Sequence, residues 1–133
     1  MTLFPATEPD VVELVLPWPP SVNNYFIETY SKKHKRVFKF VGEAGVRYRK
    51  NVLAAVLTNG MPPKLRGHLK LEGTFHPPDE RKRDLDNLLK SLLDAMQEAG
   101  VYGDDCQIRE MDVRFGMKVE GGRATIKLTT LGM

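Results

Sequence analysis

Cysteine is almost absent from this sequence of 133 residues, with Cys106 as the single example. One cysteine excludes a disulfide framework within the chain and favours a reducing compartment. Long apolar runs are absent too, since none approaches the roughly 20 residues that a membrane-spanning helix needs. The opening stretch, MTLFPATEPDVVE, is acidic and interrupted by proline, so it does not resemble a signal peptide. These absences predict a cytoplasmic protein without a membrane partner.

A large net charge is also missing, because the formal value is only +3. The charge is unevenly distributed, however, and residues 21–50 contain eight lysines and arginines against two acidic residues. That window carries +6, which leaves −3 for the rest of the chain. Two interpretations of this local basic excess stay open: a solvated surface, or a surface that binds an anionic partner.

What the sequence does contain is the pattern of one α+β domain over residues 1–133, with 1–10 as a flexible N-terminal extension. Alternating or short apolar runs predict strands, and apolar residues at helical spacing predict helices. In chain order we predict a strand at 11–16, a helix at 43–59, a strand at 68–75, a helix at 86–99, and strands at 106–119 and 123–130. The order β-α-β-α-β-β predicts a two-layer fold, a mixed sheet with two helices packed on one face.

Three details of this prediction can be compared directly with a structure. The strands at 106–119 and 123–130 are expected to form an antiparallel hairpin through Gly121 and Gly122. The segment 19–40 is expected to be a loop or an irregular hairpin. One helix, 43–59, is expected to present a single apolar stripe made of Val46, Val52, Leu53, Val56 and Leu57.

Two aspartates, Asp84 and Asp86, flank Leu85 at the predicted start of the second helix, directly after the basic residues 81–83. In an extended backbone, side chains two residues apart point to the same side, so both carboxylates would project together. Asp86 also suits the helix N-cap, a structural role that contributes about 1 kcal/mol. Capping accounts for one aspartate and leaves the other unexplained. The pair either neutralises the neighbouring cations or binds a metal ion.

A second acidic pair, Asp104 and Asp105, follows the same helix. A helix of that length is about 20 Å long, so the sequence alone does not bring Asp105 close to Asp84. Three possibilities stay open: residues 101–105 fold back across the helix, the helix is shorter than its pattern, or the site is completed in another way. If the carboxylates converge, their oxygen donors favour Mg²⁺, for which Mn²⁺ can substitute. Zinc is disfavoured, because Cys106 and the scattered histidines lack ligand spacing.

Lys90 lies four residues after Asp86 on the same face of the predicted helix. It either stabilises negative charge on a phosphate or forms an ordinary salt bridge with Asp86, worth roughly 0.2–0.5 kcal/mol. Asp94 shares this face and is expected to be solvated. Carboxylate-bound Mg²⁺ beside a basic surface is suited to phosphodiester hydrolysis.

Two longer stretches, LPWPPSVNNYF at 16–26 and RKRDLDNLLKSLLDAMQEAGVYGDDCQI at 81–108, closely resemble the RusA family of Holliday junction resolvases. The resemblance extends from residue 11 to the end, and residues 1–10 lie beyond the compact start of the family. It implies a Mg²⁺-dependent homodimeric endodeoxyribonuclease, without an organic cofactor, that resolves four-way DNA junctions by paired symmetric nicks in recombination and repair. The family's catalytic and metal-binding carboxylates correspond to Asp84, Asp86 and Asp105, and its essential lysine corresponds to Lys90.

The predicted DNA contacts fall in two basic stretches. In the segment 21–40, cations alternate with aromatic residues, which suits phosphate binding together with stacking on unpaired bases. The run at 81–83 matches the basic run of the family. The predicted DNA-binding residues are Asn24, Lys32, Lys33, Lys35, Arg36, Arg81, Lys82 and Arg83.

Two alternatives to junction resolution remain open at the level of sequence. A nuclease of the same fold would act on flaps, and a non-catalytic module would bind branched DNA without cutting it. Homodimerisation follows from the two-fold symmetry of a four-way junction. Its interface is expected on the apolar face of strand 106–119 or of helix 43–59, and the sequence does not choose between them.

Overall fold

The computed structural model describes residues 10–132, in which short connections join nine helices and strands. In chain order they are β1 (Val11–Pro17), α1 (Val22–Tyr25), β2 (Phe26–Ser31), β3 (Arg36–Val41), α2 (Glu43–Thr58), β4 (Leu69–His76), α3 (Leu85–Glu98), β5 (Ile108–Phe115) and β6 (Arg123–Thr130). A 3₁₀ turn at Asp105–Gln107 precedes β5. The mixed α+β class with two long helices is confirmed.

The main sheet has the strand order β1-β6-β4-β5. β6 lies between β1 and β4 and is antiparallel to both, whereas β5 is parallel to β4 at the sheet edge. The predicted hairpin between the last two strands is therefore wrong. Gly121 and Gly122 do adopt positive φ, but the chain crosses to the far side of β4 before it re-enters the sheet. Local turn chemistry does not reveal which strand lies next to which.

The core lies on one face of this sheet, beneath the two long helices. The buried strand residues share this face, as the alternation of β4 predicts: Leu69, Leu71 and Phe75 are buried. α3 contributes Leu88, Leu92 and Met96, and α2 contributes Tyr48, Val52 and Val56 to the same cluster.

The predicted apolar stripe of α2 is only partly correct. Val52 and Val56 are buried, but Val46, Leu53 and Leu57 are exposed. The buried side of α2 also includes Tyr48, whose hydroxyl donates a hydrogen bond to the Pro17 carbonyl at 2.8 Å. A tyrosine whose hydroxyl makes a hydrogen bond can be buried in a core. The burial of Tyr48 therefore shifts the core-facing side of α2 away from the predicted stripe.

An irregular hairpin over residues 19–40 is confirmed as the β2–β3 ribbon, a second, two-stranded sheet. Its strands pair from Phe26 with Val41 to Ser31 with Arg36, and its turn contains Lys35 at a φ of 51°. The ribbon packs against α1 and the start of α2 rather than against the main sheet.

β5 leaves one edge of the main sheet open within the described residues. Its core-facing side chains are incompletely covered by α3, so Met111 and Phe115 remain 43% and 41% exposed. Among the helices of residues 10–132, none combines the length and apolar character of a membrane span. An open strand edge beside exposed apolar side chains is a surface suited to pairing with another chain.

Candidate active site

The start of α3 carries the first pair of predicted carboxylates. Asp84, not Asp86, occupies the N-cap position, with extended backbone at φ −99° and ψ 133°, so the helix begins one residue earlier than predicted. The reason is Leu85, which packs against the core and belongs to the apolar face of the helix. The Asp84 side chain makes no capping hydrogen bond, and Asp86 stands in the first turn. Both carboxylates are exposed and remain free of the structural role considered for Asp86.

One open cleft of about 350 Å³ lies beside the start of α3. It is lined by residues from 18–24 and by residues from 82–88. Positive helix-end dipoles and nearby cations make such a cleft attractive to anions. The lining side chains that carry polar groups or the indole ring are Trp18, Ser21 and Asn24 from residues 18–24, and Lys82, Arg83, Asp84 and Asn87 from residues 82–88.

The three basic residues at 81–83 differ in their ion pairs within the described residues. Arg83 donates to Asp79 at 2.6 Å and lies over the ring of Trp18 at 5.3 Å. Arg81 pairs with the same carboxylate at 3.4 Å, whereas Lys82 is exposed beside the cleft. Hydrogen bonds from the Arg81 N–H and from the Arg83 guanidinium lower the pKa of Asp79. Arg83 therefore shapes the loop, and Lys82 is the cation best placed for a phosphate.

Lys90 is exposed on the face of α3 that begins with Asp86. In the part of the chain that the structure describes, no ion pair within 4.0 Å joins Lys90 to an acidic residue. The salt bridge considered for Lys90 and Asp86 is not formed. The ammonium group is thus available to a negatively charged ligand.

Asp94, one turn further along α3, is not the solvated residue that its spacing predicted. Its side chain is 23% exposed and accepts hydrogen bonds from Arg49 at 2.7 Å and from the Tyr25 hydroxyl. The partners come from α1 and α2, so no local pattern in α3 could reveal them.

The far end of α3 holds the second acidic pair in a dense hydrogen-bonded loop. The Asp104 side chain accepts from the Cys106 N–H at 2.9 Å and caps the 3₁₀ turn. Gln107 accepts from the N–H groups of Gly103 and Asp104 and donates to the Leu65 and Gly67 carbonyls. Asp104 is consequently a structural residue, whose pKa is lowered by the hydrogen bond from the Cys106 N–H.

Asp105 is held at this end through its backbone. Its N–H donates to the Gln97 side chain at 2.9 Å, and Gln97 lies eleven residues after Asp86 on α3. Eleven residues of helix rise about 16 Å, so Asp105 lies far from Asp84 and Asp86 in the same chain. Of the possibilities open from sequence, the folding back of residues 101–105 across the helix and a shortened helix are not observed.

The donor set for a metal ion is therefore divided. Within residues 10–132, no group of three or more His, Cys, Asp or Glu side chains lies close enough to hold an ion. One chain provides the exposed pair Asp84 and Asp86, whose hard oxygen donors suit Mg²⁺, and a separate Asp105 at the other end of α3. If Asp84, Asp86 and Asp105 bind one ion, these three ligands do not all come from the same chain.

The remaining predicted DNA contacts form the exposed tip of the β2–β3 ribbon: Lys32, Lys33, Lys35 and Arg36. Arg36 lies over the Phe38 ring at 4.4 Å, while Tyr30 and Phe40 are 59% and 49% exposed. The ribbon thus presents cations together with accessible aromatic rings. The Phe38 ring is partly buried.

Sequence reasoning missed several polar residues around these groups. Asn87 lines the cleft, and its position directly after Asp86 in the basic-acidic stretch was an available signal. Gln97 and Gln107 act through contacts with segments distant in the sequence, which no local spacing encodes.

Comparison with known proteins identifies the family of this chain. The family model described as Endodeoxyribonuclease RusA matches residues 17–129. The chain is 37% identical to the crossover junction endodeoxyribonuclease rusA of Enterobacteria phage HK97 over 119 residues, which cover 90% of this chain and 94% of that relative. It is 35% identical to the RusA enzyme of Escherichia coli K12, and 34% identical to that of Enterobacteria phage 82, with the same coverage. The matched range contains the residues that line the cleft together with Asp84, Asp86 and Lys90, and the chain belongs to the RusA family of endodeoxyribonucleases.

Proposed function

We propose that this enzyme resolves four-way DNA junctions by hydrolysing one phosphodiester bond in each of two opposed strands. The observation that carries the proposal is the exposed pair Asp84 and Asp86, which makes no side-chain hydrogen bond within the described residues. Asp84 lines a cleft together with Lys82 and Arg83, in a chain that matches crossover junction nucleases over nearly its full length. Carboxylates that serve no structural bond are retained at a cost in charge repulsion, which a bound cation removes.

The active site is completed by a second copy of the chain. Asp86 and Asp105 lie at opposite ends of α3, and β5, the strand after Asp105, has an open edge with exposed Met111 and Phe115. A two-fold axis beside the middle of α3 and β5 runs the two helices in opposite directions. Asp84 and Asp86 of one subunit then approach Asp105 of the partner subunit. This argument favours the β5 face over the α2 face as the dimer interface.

Mg²⁺ suits this composite set, because all three ligands are carboxylates. When bound, the ion polarises the phosphate and lowers the pKa of a water molecule. The residues of the chain provide the rest. The ammonium of Lys90 stabilises negative charge on the reacting phosphate, and Lys82 holds a neighbouring phosphate.

The β2–β3 ribbon supplies recognition of branched DNA. Its basic tip binds phosphates, and the exposed rings of Tyr30 and Phe40 stack on bases that are unpaired where the strands exchange. Two equivalent sites related by a two-fold axis match the symmetry of a four-way junction and produce paired nicks.

Cleavage of a synthetic four-way junction in Mg²⁺, with flap and linear duplex substrates as controls, tests this function. We expect paired nicks in the junction and little cleavage of the duplex. Equal rates on flaps and junctions would instead indicate a broader branched-DNA nuclease, and binding without nicks would indicate a non-catalytic module.

Mixed dimers test the composite site. Asp86→Asn and Asp105→Asn subunits are co-expressed with two different affinity tags, and the mixed dimer is purified through both tags. In a composite arrangement, one site of the mixed dimer contains both substitutions and the other contains neither. We therefore expect each homodimer to be inactive and the mixed dimer to nick. An inactive mixed dimer that still binds the junction would contradict the shared site.

A further inference from the structure

A partly buried polar network joins α1, α2 and α3 at a point that none of the proposed catalytic groups occupies. Tyr25, which has no exposed surface, donates its hydroxyl to Asp94. Arg49 donates through Nε to the Tyr25 hydroxyl at 2.8 Å and to Asp94 at 3.1 Å, with a further bond to Asp94 at 2.7 Å. Burial and the bond to Asp94 hold the pKa of Tyr25 above its usual range, so the hydroxyl stays protonated.

Tyr25 is also the residue at which the β2–β3 ribbon begins. Its carbonyl accepts from the Gly42 N–H at 2.9 Å, directly after the last ribbon strand. Its ring packs on Phe26 with centroids 4.7 Å apart. Gly45 of α2 approaches so closely that a Cβ there would lie 2.6 Å from the Tyr25 carbonyl oxygen. Both ends of the ribbon therefore meet at one residue, whose carbonyl contacts Gly42 and whose ring packs on Phe26.

Asp94 lies on the same face of α3 as Asp86 and Lys90, at successive four-residue steps. Its bonds to Tyr25 and Arg49 connect the base of the ribbon to the helix face that carries the proposed catalytic groups. They also hold its carboxylate against Arg49, one turn from Lys90. The network is thus placed between the surface that recognises branched DNA and the groups that cut it.

We propose that Tyr25, Arg49 and Asp94 form a clamp that sets the position of the β2–β3 ribbon relative to α3. These are positioning residues: none lies in the cleft, and each acts by holding another element. The inference rests on the proposed function of the ribbon in binding DNA. Without the clamp, the basic tip still attracts phosphates, but the strand is no longer presented to Asp84, Asp86 and Lys90 in one fixed geometry.

Tyr48 provides a matched control for Tyr25. It is also a buried tyrosine whose hydroxyl makes a hydrogen bond, but its acceptor is the Pro17 carbonyl, away from the ribbon. Tyr25→Phe and Tyr48→Phe each remove one buried hydroxyl and keep the ring. A merely stabilising role for Tyr25 would make the two variants alike.

The first measurement is backbone amide hydrogen exchange of the full chain without DNA, followed in peptides that cover the ribbon and, separately, β4 and β6. In Tyr25→Phe we expect ribbon amides to exchange about tenfold faster while the main sheet keeps its rates, because the ribbon opens locally. Tyr48→Phe is expected to leave the ribbon at wild-type rates. Equal ribbon exchange in both variants would overturn the clamp.

The second measurement is single-turnover cleavage of a four-way junction in Mg²⁺. Tyr25→Phe is expected to lower the rate constant at saturation about tenfold, since small misplacement of a reacting group is costly. Its affinity for the junction is expected to change less than about threefold, since the basic tip still contacts phosphate. An unchanged rate constant at saturation would overturn the clamp even if affinity fell.

The two measurements separate failure of the clamp from failure of the proposed function. If the wild-type enzyme does not cut the junction, the exchange data alone still decide whether the clamp exists. If Tyr25→Phe fails to fold, Arg49→Lys replaces it, because lysine keeps the charge beside Asp94 and loses the planar fork. The same selective increase in ribbon exchange is then required of Arg49→Lys.

Discussion

A pair of aspartates lies near each end of α3, and the two pairs differ in their hydrogen bonds. At the first turn, Asp84 and Asp86 are exposed, and the N-cap side chain makes no capping bond. Beyond the last turn, Asp104 caps a 3₁₀ turn, and Gln97 holds the backbone of Asp105. Pairs of neighbouring aspartates are therefore not equivalent evidence for a metal site. At one end both carboxylates are exposed, whereas at the other one carboxylate caps the turn that contains its neighbour.

The largest expected effect on cleavage comes from neutralising Asp84 or Asp86 at the start of α3. Asp84→Asn and Asp86→Asn should each lower junction cleavage at least about a hundredfold, because charge stabilisation by a bound metal ion is worth several kcal/mol. Asparagine is nearly isosteric and also suits an N-cap, so the melting temperature should be maintained or should rise slightly. Cleavage rates and thermal melting of the same preparations provide the measurement. Retained cleavage in either variant would remove that aspartate from the site.

Lys90 extends the comparison along the helix face. Lys90→Gln should lower the cleavage rate roughly ten- to a hundredfold, as expected for removal of one group that stabilises charge in the transition state. Its stability should not change, because the ammonium makes no ion pair within the described residues. Single-turnover kinetics and urea unfolding test the two halves of this prediction. A loss of stability equal to the loss of cleavage would favour a structural role.

Gln107 tests the loop after α3 that contains Asp104 and Asp105. Gln107→Ala removes two hydrogen bonds within the acidic loop and two that connect it to the α2–β4 linker, and should lower the free energy of unfolding by about 2 kcal/mol. Cleavage should fall as well, since Asp105 is carried by the same loop. Gln107→Glu keeps the two acceptor bonds but turns a carboxylate oxygen toward the Leu65 and Gly67 carbonyls, so it should lose at least as much stability as Gln107→Ala. Urea unfolding checks the order, which a smaller loss in Gln107→Glu would contradict.

The smallest effect concerns the pH dependence of Asp104. Its pKa is lowered in the folded state by the Cys106 N–H, so its stabilisation is present above the unfolded pKa of about 3.9 and is lost as pH falls through the lower folded value. Asp104→Asn keeps an acceptor but loses the charge. The urea midpoints of wild type and variant should differ slightly at neutral pH and converge in strong acid. A difference that persists there would exclude the carboxylate charge as its cause.

Local structure was predictable wherever one periodicity dominated. The alternation in β4 and the apolar face of α3 both correspond to observed elements, because burial on one face imposes the period directly. The glycine after α3, Gly100, adopts the positive φ expected of a helix end. The resemblance of two long stretches to a nuclease family was also visible, and the family model confirms it.

Partner choice was not predictable, because it depends on contacts between distant segments. The neighbours of β6 are β1 and β4 instead of β5, although Gly121 and Gly122 favour a local turn. Similarly, Tyr25, Arg49 and Asp94 come from three separate elements, so no spacing in any one of them signals the network. The carboxylates at the two ends of α3 remain predicted ligands, and their roles depend on the mixed-dimer experiment.

The position of β6 in the sheet has a consequence for synthesis of the protein. The Asp10 N–H donates to the Thr130 hydroxyl, and the Thr130 N–H donates to the Asp10 carbonyl, across 120 positions of sequence. β1 therefore gains its partner strand only when β6 has been synthesised. Until the ribosome releases residues 123–130, β1 and β4 have no strand between them, and Leu14 and Leu71 stay uncovered along a gap in the layer. Such late, long-range closure slows folding and exposes the nascent chain to aggregation. Premature termination shortly before Arg123 would therefore leave β1 without a partner strand and only the β4–β5 pair beneath α3.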